Sequence, residues 1–458
     1  MTTSPHFPSL HRIHPRGWIN DPNGIMRVDG RWHVYFQYNP YSARHEQIHW
    51  GHVSSADLAH WREEPMGPVP REGEADSGGC WSGVGLLDRG PGIGLLDRGP
   101  GGRPDGEGVP TLVYSAVDGV DNAFARVVVA RTDRGLQQLA DPGRVVAEVP
   151  DVPGLIGVRD PFVFESEGRR WAIQGAGIQQ GDRVVPVILL FSCDDIEHWE
   201  YVGELLRGDH PVAAEHAPAE LWECPQLVQV GERWVLMLSL WYRPEVAPRS
   251  TIQVNYLVGD LVAGPGGSPR FEPTGGGRVD EGPDFYAPQA VVDAEQGRVL
   301  MWGWSWEGLA RTQDQTDEQG WSGCLTFPRE LALEEDRLGA RFPAELRALR
   351  GEPLDIARGQ GAQAQVDLPA PFRAEVEVQG PVTVELIRGD GRTESIAAHD
   401  GGTATVMIDG GILELLPTAS TTSTVRLYPD GDDVIRLRGA LTDGWELVQE
   451  PGLAPHPR

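Results

Sequence analysis

Short runs of β-branched and aromatic residues, each broken by Gly, Pro, Asp or Asn, recur from Trp18 to about Phe342. Examples are Trp32-His33-Val34-Tyr35-Phe36, Thr111-Leu112-Val113-Tyr114, Pro186-Val187-Ile188-Leu189-Leu190-Phe191 and Trp234-Val235-Leu236-Met237-Leu238. Apolar runs of this length, bounded by turn formers, predict buried strands, and long amphipathic helices are absent from the pattern. From about Gly351 the pattern becomes alternating and more polar, as in Ala374-Glu375-Val376-Glu377-Val378 and Val382-Thr383-Val384-Glu385-Leu386. Alternation of period two, with Gly-Asp turns between the runs, predicts the strands of a second domain built as a β-sandwich.

The first part repeats. Ser54-Ser55-Ala56-Asp57-Leu58-Ala59-His60-Trp61 returns 138 residues later as Ser192-Cys193-Asp194-Asp195-Ile196-Glu197-His198-Trp199. Trp32, Trp171 and Trp234 each lie 11 residues after an acid, namely Asp21, Asp160 and Glu223. Asp21, Ser82, Asp160, Glu223 and Asp284 then form a series with spacings of 61, 78, 63 and 61 residues. Units of about sixty residues hold four strands with their loops, and radial repetition of such sheets makes a propeller. The expected fold is all-β: a five-bladed β-propeller over residues 1–345, then a β-sandwich over residues 346–458. The join falls between Leu346 and Gly351.

The one long spacing has a visible cause. Gly85-Leu86-Leu87-Asp88-Arg89-Gly90-Pro91-Gly92-Ile93 is followed at once by its near copy, Gly94-Leu95-Leu96-Asp97-Arg98-Gly99-Pro100-Gly101-Gly102. The duplication reads as a loop inserted after the first strand of blade two, cheap in closure entropy, mobile and not catalytic.

Composition narrows the partners. The chain has 458 residues, 40% of them hydrophobic, and no run approaches the length needed to cross a bilayer. The start of the chain shows no secretion signal, and no Asn begins an Asn-x-Ser/Thr site. Cys80, Cys193, Cys224 and Cys324 stand singly, which suits reduced thiols in a cytoplasm better than a disulfide framework or a zinc site. A net charge of −28 argues against nucleic acid and anionic membrane as partners and leaves a small neutral ligand open.

The first strand of each propeller blade lines the central channel, so landmarks that recur once per blade converge on one funnel. That places Asp21, Asp160 and Glu223 together. Clustered carboxylates repel each other, which raises the pKa of at least one. A pair with split pKa values is what glycoside cleavage needs. Pro22 and Gly24 bend the chain sharply just after Asp21 and expose its carboxylate at a strand end. Asn20, Gln37, Trp50, Trp81 and Ser82 are the candidates for gripping a sugar, because amides and hydroxyls donate and accept while aromatic faces stack on the ring. Trp302, Trp304 and Trp306 alternate and read as packing between blades ahead of a sugar platform. Trp61 and Trp199 read as packing within blades. The Cys224 thiol is expected to pack behind Glu223, since strand neighbours face opposite sides unless the strand is bulged. His45, His49 and His52 lack accompanying acid or Cys ligands, so neither a metal nor another cofactor is expected.

In order along the chain, Trp18-Ile19-Asn20-Asp21-Pro22-Asn23-Gly24, Gln37-Tyr38-Asn39-Pro40, His49-Trp50-Gly51-His52, Trp81-Ser82-Gly83, Arg159-Asp160-Pro161, Glu223-Cys224-Pro225 and Asp284-Phe285-Tyr286-Ala287 resemble the motif set of glycoside hydrolase family 32. That family holds the invertases and other β-fructofuranosidases. The stretch from Gly320 to Leu331 resembles its closing motif. Ile19 stands where Met is common and Trp81 where Phe is usual, which alters the pocket wall and not the chemistry. The resemblance implies Asp21 as nucleophile, Glu223 as acid/base and Asp160 as the acid that holds fructose hydroxyls, with Arg159 orienting one of them. It implies a retaining hydrolase that releases fructose from sucrose or a short fructo-oligosaccharide. A fructosyltransferase, a sucrose-6-phosphate hydrolase and an inactive sugar-binding propeller are the alternatives.

Overall fold

Five antiparallel sheets follow one another along the first three quarters of the chain, each begun by the strand nearest a common axis. These innermost strands are Gly17–Val28, Gly79–Asp88, Leu155–Ser166, Leu221–Val230 and Tyr286–Asp293, and each touches the innermost strands of the sheets beside it, which closes a ring. The computed structural model describes residues 4–90, 108–248, 252–359, 363–418 and 420–449. The architecture is the expected five-bladed β-propeller followed by a β-sandwich. The ring is sealed where Trp321–Ser322, far along the chain, pairs in parallel with Gly17 and Trp18. Arg12 locks this seam by donating to the carbonyls of His14, Arg16, Gly17, Ser322 and Gly323.

Every innermost strand breaks its register with the next strand at the same height. The shifts fall between Ile19 and Pro22, Cys80 and Gly83, Arg159 and Phe162, Glu223 and Gln226, and Tyr286 and Gln289. In four of the five blades proline lies at the break, and it has no N–H to offer the ladder. Asp160, Cys224 and Ala287 each precede that proline with φ of 61°, 45° and 45°, a left-handed conformation rare for residues with a side chain. The bulges turn side chains towards the axis that a regular strand would point into the sheet.

Side-chain bonds between blades hold the bulges in place. Asn23 Oδ1 accepts from Gly83 N–H, and Ser115 Oγ accepts from Asp160 N–H. Asp160 Oδ2 accepts from Cys224 N–H, Gln226 Oε1 from Ala290 N–H, and Gln289 Oε1 from Ile25 N–H. Each blade is thus tied to the next, and backbone donors freed by the bulges are satisfied.

The repeated segments at residues 54–61 and 192–199 adopt the same turn. Asp57 and Asp195 each bind the ring of the His three residues on, and the indole N–H of Trp61 and Trp199 donates to Leu58 O and Ile196 O. Their role is packing, as the sequence suggested. The inserted-loop reading of the duplication falls on residues 91–107, outside the described residues; the strand Gly79–Asp88 leads into it and Val109–Val117 leads out.

The C-terminal sheet is built on two long strands, Arg373–Ile387 and Val434–Leu447, which pair with each other and change register next to Gly380 and Gly439. One half of Arg373–Ile387 pairs with Thr403–Asp409 and the other with Thr393–His399. Val376, Val384, Val406, Ile408, Leu413 and Leu437 fill the core between. Where this domain meets the propeller, fully buried Arg329 donates to Asp280 and Glu414, and His11 bridges Asp409 and Glu414 through its two ring nitrogens.

Candidate active site

The channel opens at the bulged ends of the innermost strands into a cavity of about 550 Å³. Asp21, Asp160 and Glu223, from blades one, three and four, all line it. The convergence expected from the repeat is present.

Asp21 is 9% exposed and sits in a nest of donors. Asn20 Nδ2 donates to its Oδ1 at 3.0 Å, and Asn20 Oδ1 in turn accepts from Trp18 Nε1 at 2.8 Å. Its Oδ2 accepts from Gln37 Nε2 at 3.1 Å and from Ser82 Oγ at 2.5 Å. Burial pushes the Asp21 carboxyl up to about 6, the bonds from Ser82 and Asn20 pull against it, and the Glu223 charge adds to the rise. Burial, and then the Glu223 charge, also raises Asp160, against the opposing pull of Arg159. Asp21 and Asp160 therefore keep their protons to higher pH than free carboxyl groups do.

Glu223 is held at both oxygens. Arg159 Nε and Nη2 donate to Oε1 at 2.9 Å and 2.8 Å, and the Tyr286 hydroxyl donates to Oε2 at 2.6 Å. The Tyr286 ring stacks on Trp306 with centroids 5.1 Å apart and planes 3° from parallel. Arg159, Glu223 and Tyr286 occupy equivalent places in consecutive blades, each two residues before the proline at the bulge.

The remaining candidates divide. Asn20, Gln37, Trp81 and Arg159 line the cavity. Ser82 lies beneath it and binds Asp21. Trp50 does not reach the cavity: it is 0% exposed, packs on Tyr35 and Tyr114, and donates its indole N–H to Trp81 O at 3.1 Å. It belongs to the third strand of its blade, two strands out from the channel, so it supports the pocket wall from behind.

Cys224 corrects another expectation. Because its strand is bulged, the thiol turns into the cavity with Glu223 and lies 3.6 Å from Asp21 Oδ2 and 3.5 Å from Asp160 Oδ2. Burial, followed by the charges of the three acids, holds this thiol well above its ordinary value, so it stays protonated. Asp284, the fifth member of the repeat series, faces the sandwich and accepts from Arg426 N–H at 2.7 Å. The fifth blade contributes Tyr286 instead, and its place before Ala287-Pro288, matching Arg159 and Glu223 before their prolines, is the signal in the sequence. Trp302 packs against Trp32 and Trp61 as expected, whereas Trp304 lines the cavity. Trp18, Trp241 and His45 also line it.

A propeller mouth furnished with clustered carboxylates, amides and indoles fits a glycoside hydrolase. The sequence profile described as the glycosyl hydrolases family 32 N-terminal domain matches residues 11–341, and the chain belongs to that family. A sucrose-6-phosphate hydrolase of Klebsiella pneumoniae is 33% identical over 76% of this chain and 69% of its own length. A raffinose invertase of Escherichia coli is 30% identical over 78% of this chain and 69% of its own length. Among solved structures, the family 32 β-fructofuranosidase of Bombyx mori is similar in fold, with a TM-score of 0.74 at 22% identity, covering 97% of this chain and 94% of that one.

Proposed function

We propose that this chain is a retaining β-fructofuranosidase that releases the terminal fructosyl unit of sucrose or a short fructo-oligosaccharide as fructose. The observation that carries the reading is the pairing of differently held acids in one cavity: Asp21 among neutral donors, Glu223 between Arg159 and Tyr286.

In the first step a carboxylate oxygen of Asp21 attacks the anomeric carbon while Glu223, protonated, gives its proton to the leaving glycosidic oxygen. The bond to the leaving sugar breaks as the bond to Asp21 forms. In the second step Glu223, now a carboxylate, takes a proton from water, and the water oxygen displaces Asp21 from the same carbon. Two inversions give net retention, and the geometry calls for carboxyl groups about 5–5.5 Å apart. Asp160 accepts hydrogen bonds from sugar hydroxyls, which gain strength as positive charge grows in the ring. Asn20 and Gln37 hold Asp21 and face the same sugar. Trp18, Trp81 and Trp304 supply apolar faces around the mouth, Trp18 and Trp304 lying 5.7 Å apart between centroids.

The relatives named sucrose-6-phosphate hydrolase support a second reading, in which the glucose carries a phosphate. We assign the catalytic chemistry to residues 1–345 and a supporting role to residues 346–458. A cytoplasmic location fits the four unpaired, buried cysteines.

Fructose release from sucrose, its 6-phosphate, inulin and levan by the purified chain tests the reading, with the Asp21→Asn variant as control. Release from sucrose that the variant loses supports it; equal release by both proteins rejects it. Growing oligosaccharides at high sucrose in place of free fructose would mark a transferase.

A further inference from the structure

His45 lies in the cavity wall on the segment joining the second and third strands of blade one, and the mechanism above gives it no task. Its Nε2 is 3.2 Å from Gln37 Oε1. The ring meets Trp18 and Trp81 edge-on, with centroids 6.0 Å and 5.6 Å away. The segment is anchored from both sides. Asn39 Nδ2 donates to Arg44 O at 2.9 Å, Gln313 Nε2 donates to Ala43 O at 3.1 Å, and the Arg44 guanidinium pairs with Asp317. The helix Gln313–Gln319, which supplies the last two of these contacts, carries a Thr312–Gln315 capping box, so the anchor is itself well formed.

Gln37 needs such a partner. Its amide nitrogen faces Asp21 Oδ2 at 3.1 Å and Ser82 Oγ at 2.6 Å, and both are acceptors for it. The Ser82 proton is already committed to Asp21. If the amide turned over, its carbonyl oxygen would sit against the Asp21 carboxylate, oxygen against oxygen. A primary amide has little intrinsic preference between the two orientations, so the choice is made at its two ends together, by the acceptors at its nitrogen and by what meets its oxygen. An imidazole N–H meeting Oε1 secures the oxygen end of that choice.

Resting on the assignment of Asp21 as nucleophile, we propose that His45 is a positioning residue: as the Nε2–H tautomer it donates to Gln37 Oε1 and so keeps the Gln37 amide nitrogen pointed at Asp21. His45 acts through Gln37 and takes no proton in the reaction. The titratable and charged groups bearing on this chain of bonds are Asp21, Asp160, Glu223, Arg159 and the Cys224 thiol, and the His45 ring also meets its own backbone. Losing the orientation removes a donor from Asp21 and sets a carbonyl dipole against it, which disfavours the charged form.

The test compares full-length His45→Phe and His45→Gln with the parent protein on sucrose across pH. Phenylalanine keeps the ring between Trp18 and Trp81 and removes the donor; glutamine supplies an N–H at similar reach. The His45→Phe variant is expected to lose about tenfold in kcat/KM, mainly through kcat, with its acid limb moved to higher pH. His45→Gln is expected to recover most of the loss and the original limb. A His45→Phe protein that melts with the parent and keeps the parental acid limb would overturn the proposal, as would equal impairment of both variants. Ring-nitrogen NMR of the parent, labelled at histidine and free of substrate, must show the Nε2–H tautomer for His45. The Nδ1–H tautomer there would overturn the proposal whatever the protein's substrate proves to be, so this readout separates its failure from failure of the functional reading.

Discussion

The Tyr286 hydroxyl and Glu223 Oε2 are 2.6 Å apart although they come from different blades, and Arg159 of a third blade holds the other oxygen of the same carboxyl group. Glu223 is thereby fixed in orientation before any substrate arrives. The acid/base of a two-step displacement must deliver and recover a proton along one direction, so fixing it matters more to turnover than to binding.

Tyr286→Phe is therefore expected to lower kcat about tenfold while changing KM little. Steady-state kinetics on sucrose reads both constants. A change confined to KM would mean that Tyr286 grips the sugar and not the acid.

Asp21→Asn is expected to lose at least about a thousandfold in kcat, because the amide cannot form the covalent intermediate. The same change should make the protein more stable at neutral pH. Burial raises the Asp21 carboxyl to about 6 from an ordinary 3.8, so the folded state is penalised progressively as pH rises between those values and fully above them. Melting curves should show no gain near pH 4 and a constant gain above about pH 6. A uniform gain at every pH would contradict the assigned shift.

The acid limb of the rate profile belongs, on this reading, to ionisation of Asp21, and activity rises with pH through it. Ser82→Ala removes the shortest bond to the charged form. The limb should move to higher pH by about one unit, since a hydrogen bond to the carboxylate favours ionisation. Initial rates over a pH series check it, and a shift to lower pH would be the opposite of what the geometry requires.

Away from the site, His11 joins the two domains by meeting carboxylates at both ring nitrogens, Asp409 at Nδ1 and Glu414 at Nε2, each at 2.9 Å. Neutral imidazole has one N–H, so this bridge asks for the doubly protonated ring. Burial opposes that charge, and the bonds and charges of Asp409 and Glu414 outweigh it, so the pKa is raised above 6.5. Arg373 and Arg329 occupy the other sides of these carboxylates. A raised histidine pKa adds stability that is complete below about 6.5 and is lost as pH climbs through the raised value. His11→Phe should cost about 2 kcal/mol at pH 6 and less in alkali, measured by denaturant unfolding at several pH values. A cost that grows with pH would refute the charged bridge.

Much of this was readable from residue order. The blade repeat brings Asp21, Asp160 and Glu223 to one cavity because propeller symmetry converts regular spacing into spatial convergence. What resisted reading was one residue wide. Period-two reasoning puts Glu223 and Cys224 on opposite faces, and the bulge at Pro225 puts them on one. The same bulge in blade five brings Tyr286, and not Asp284, to the axis. Trp50 carried a motif and aromatic character, but its strand lies outside the channel-lining layer, and strand order within a blade is not written in the motif. His45, beside His49 and His52, reads from sequence as a candidate metal ligand; its link to Gln37 depends on how residues 40–48 fold back, which nothing local announces.

The seam at Trp321–Ser322 also orders events at the ribosome. Chains emerge N-terminus first, so the strand bearing Asp21 is made well before Trp321–Ser322, its inner neighbour, which is synthesised some three hundred residues later. Until then its inner edge has no partner. A chain released before Trp321 would hold all three acids and still have an open ring, so truncation a little upstream of the seam should leave protein prone to pair with other strands instead of with itself.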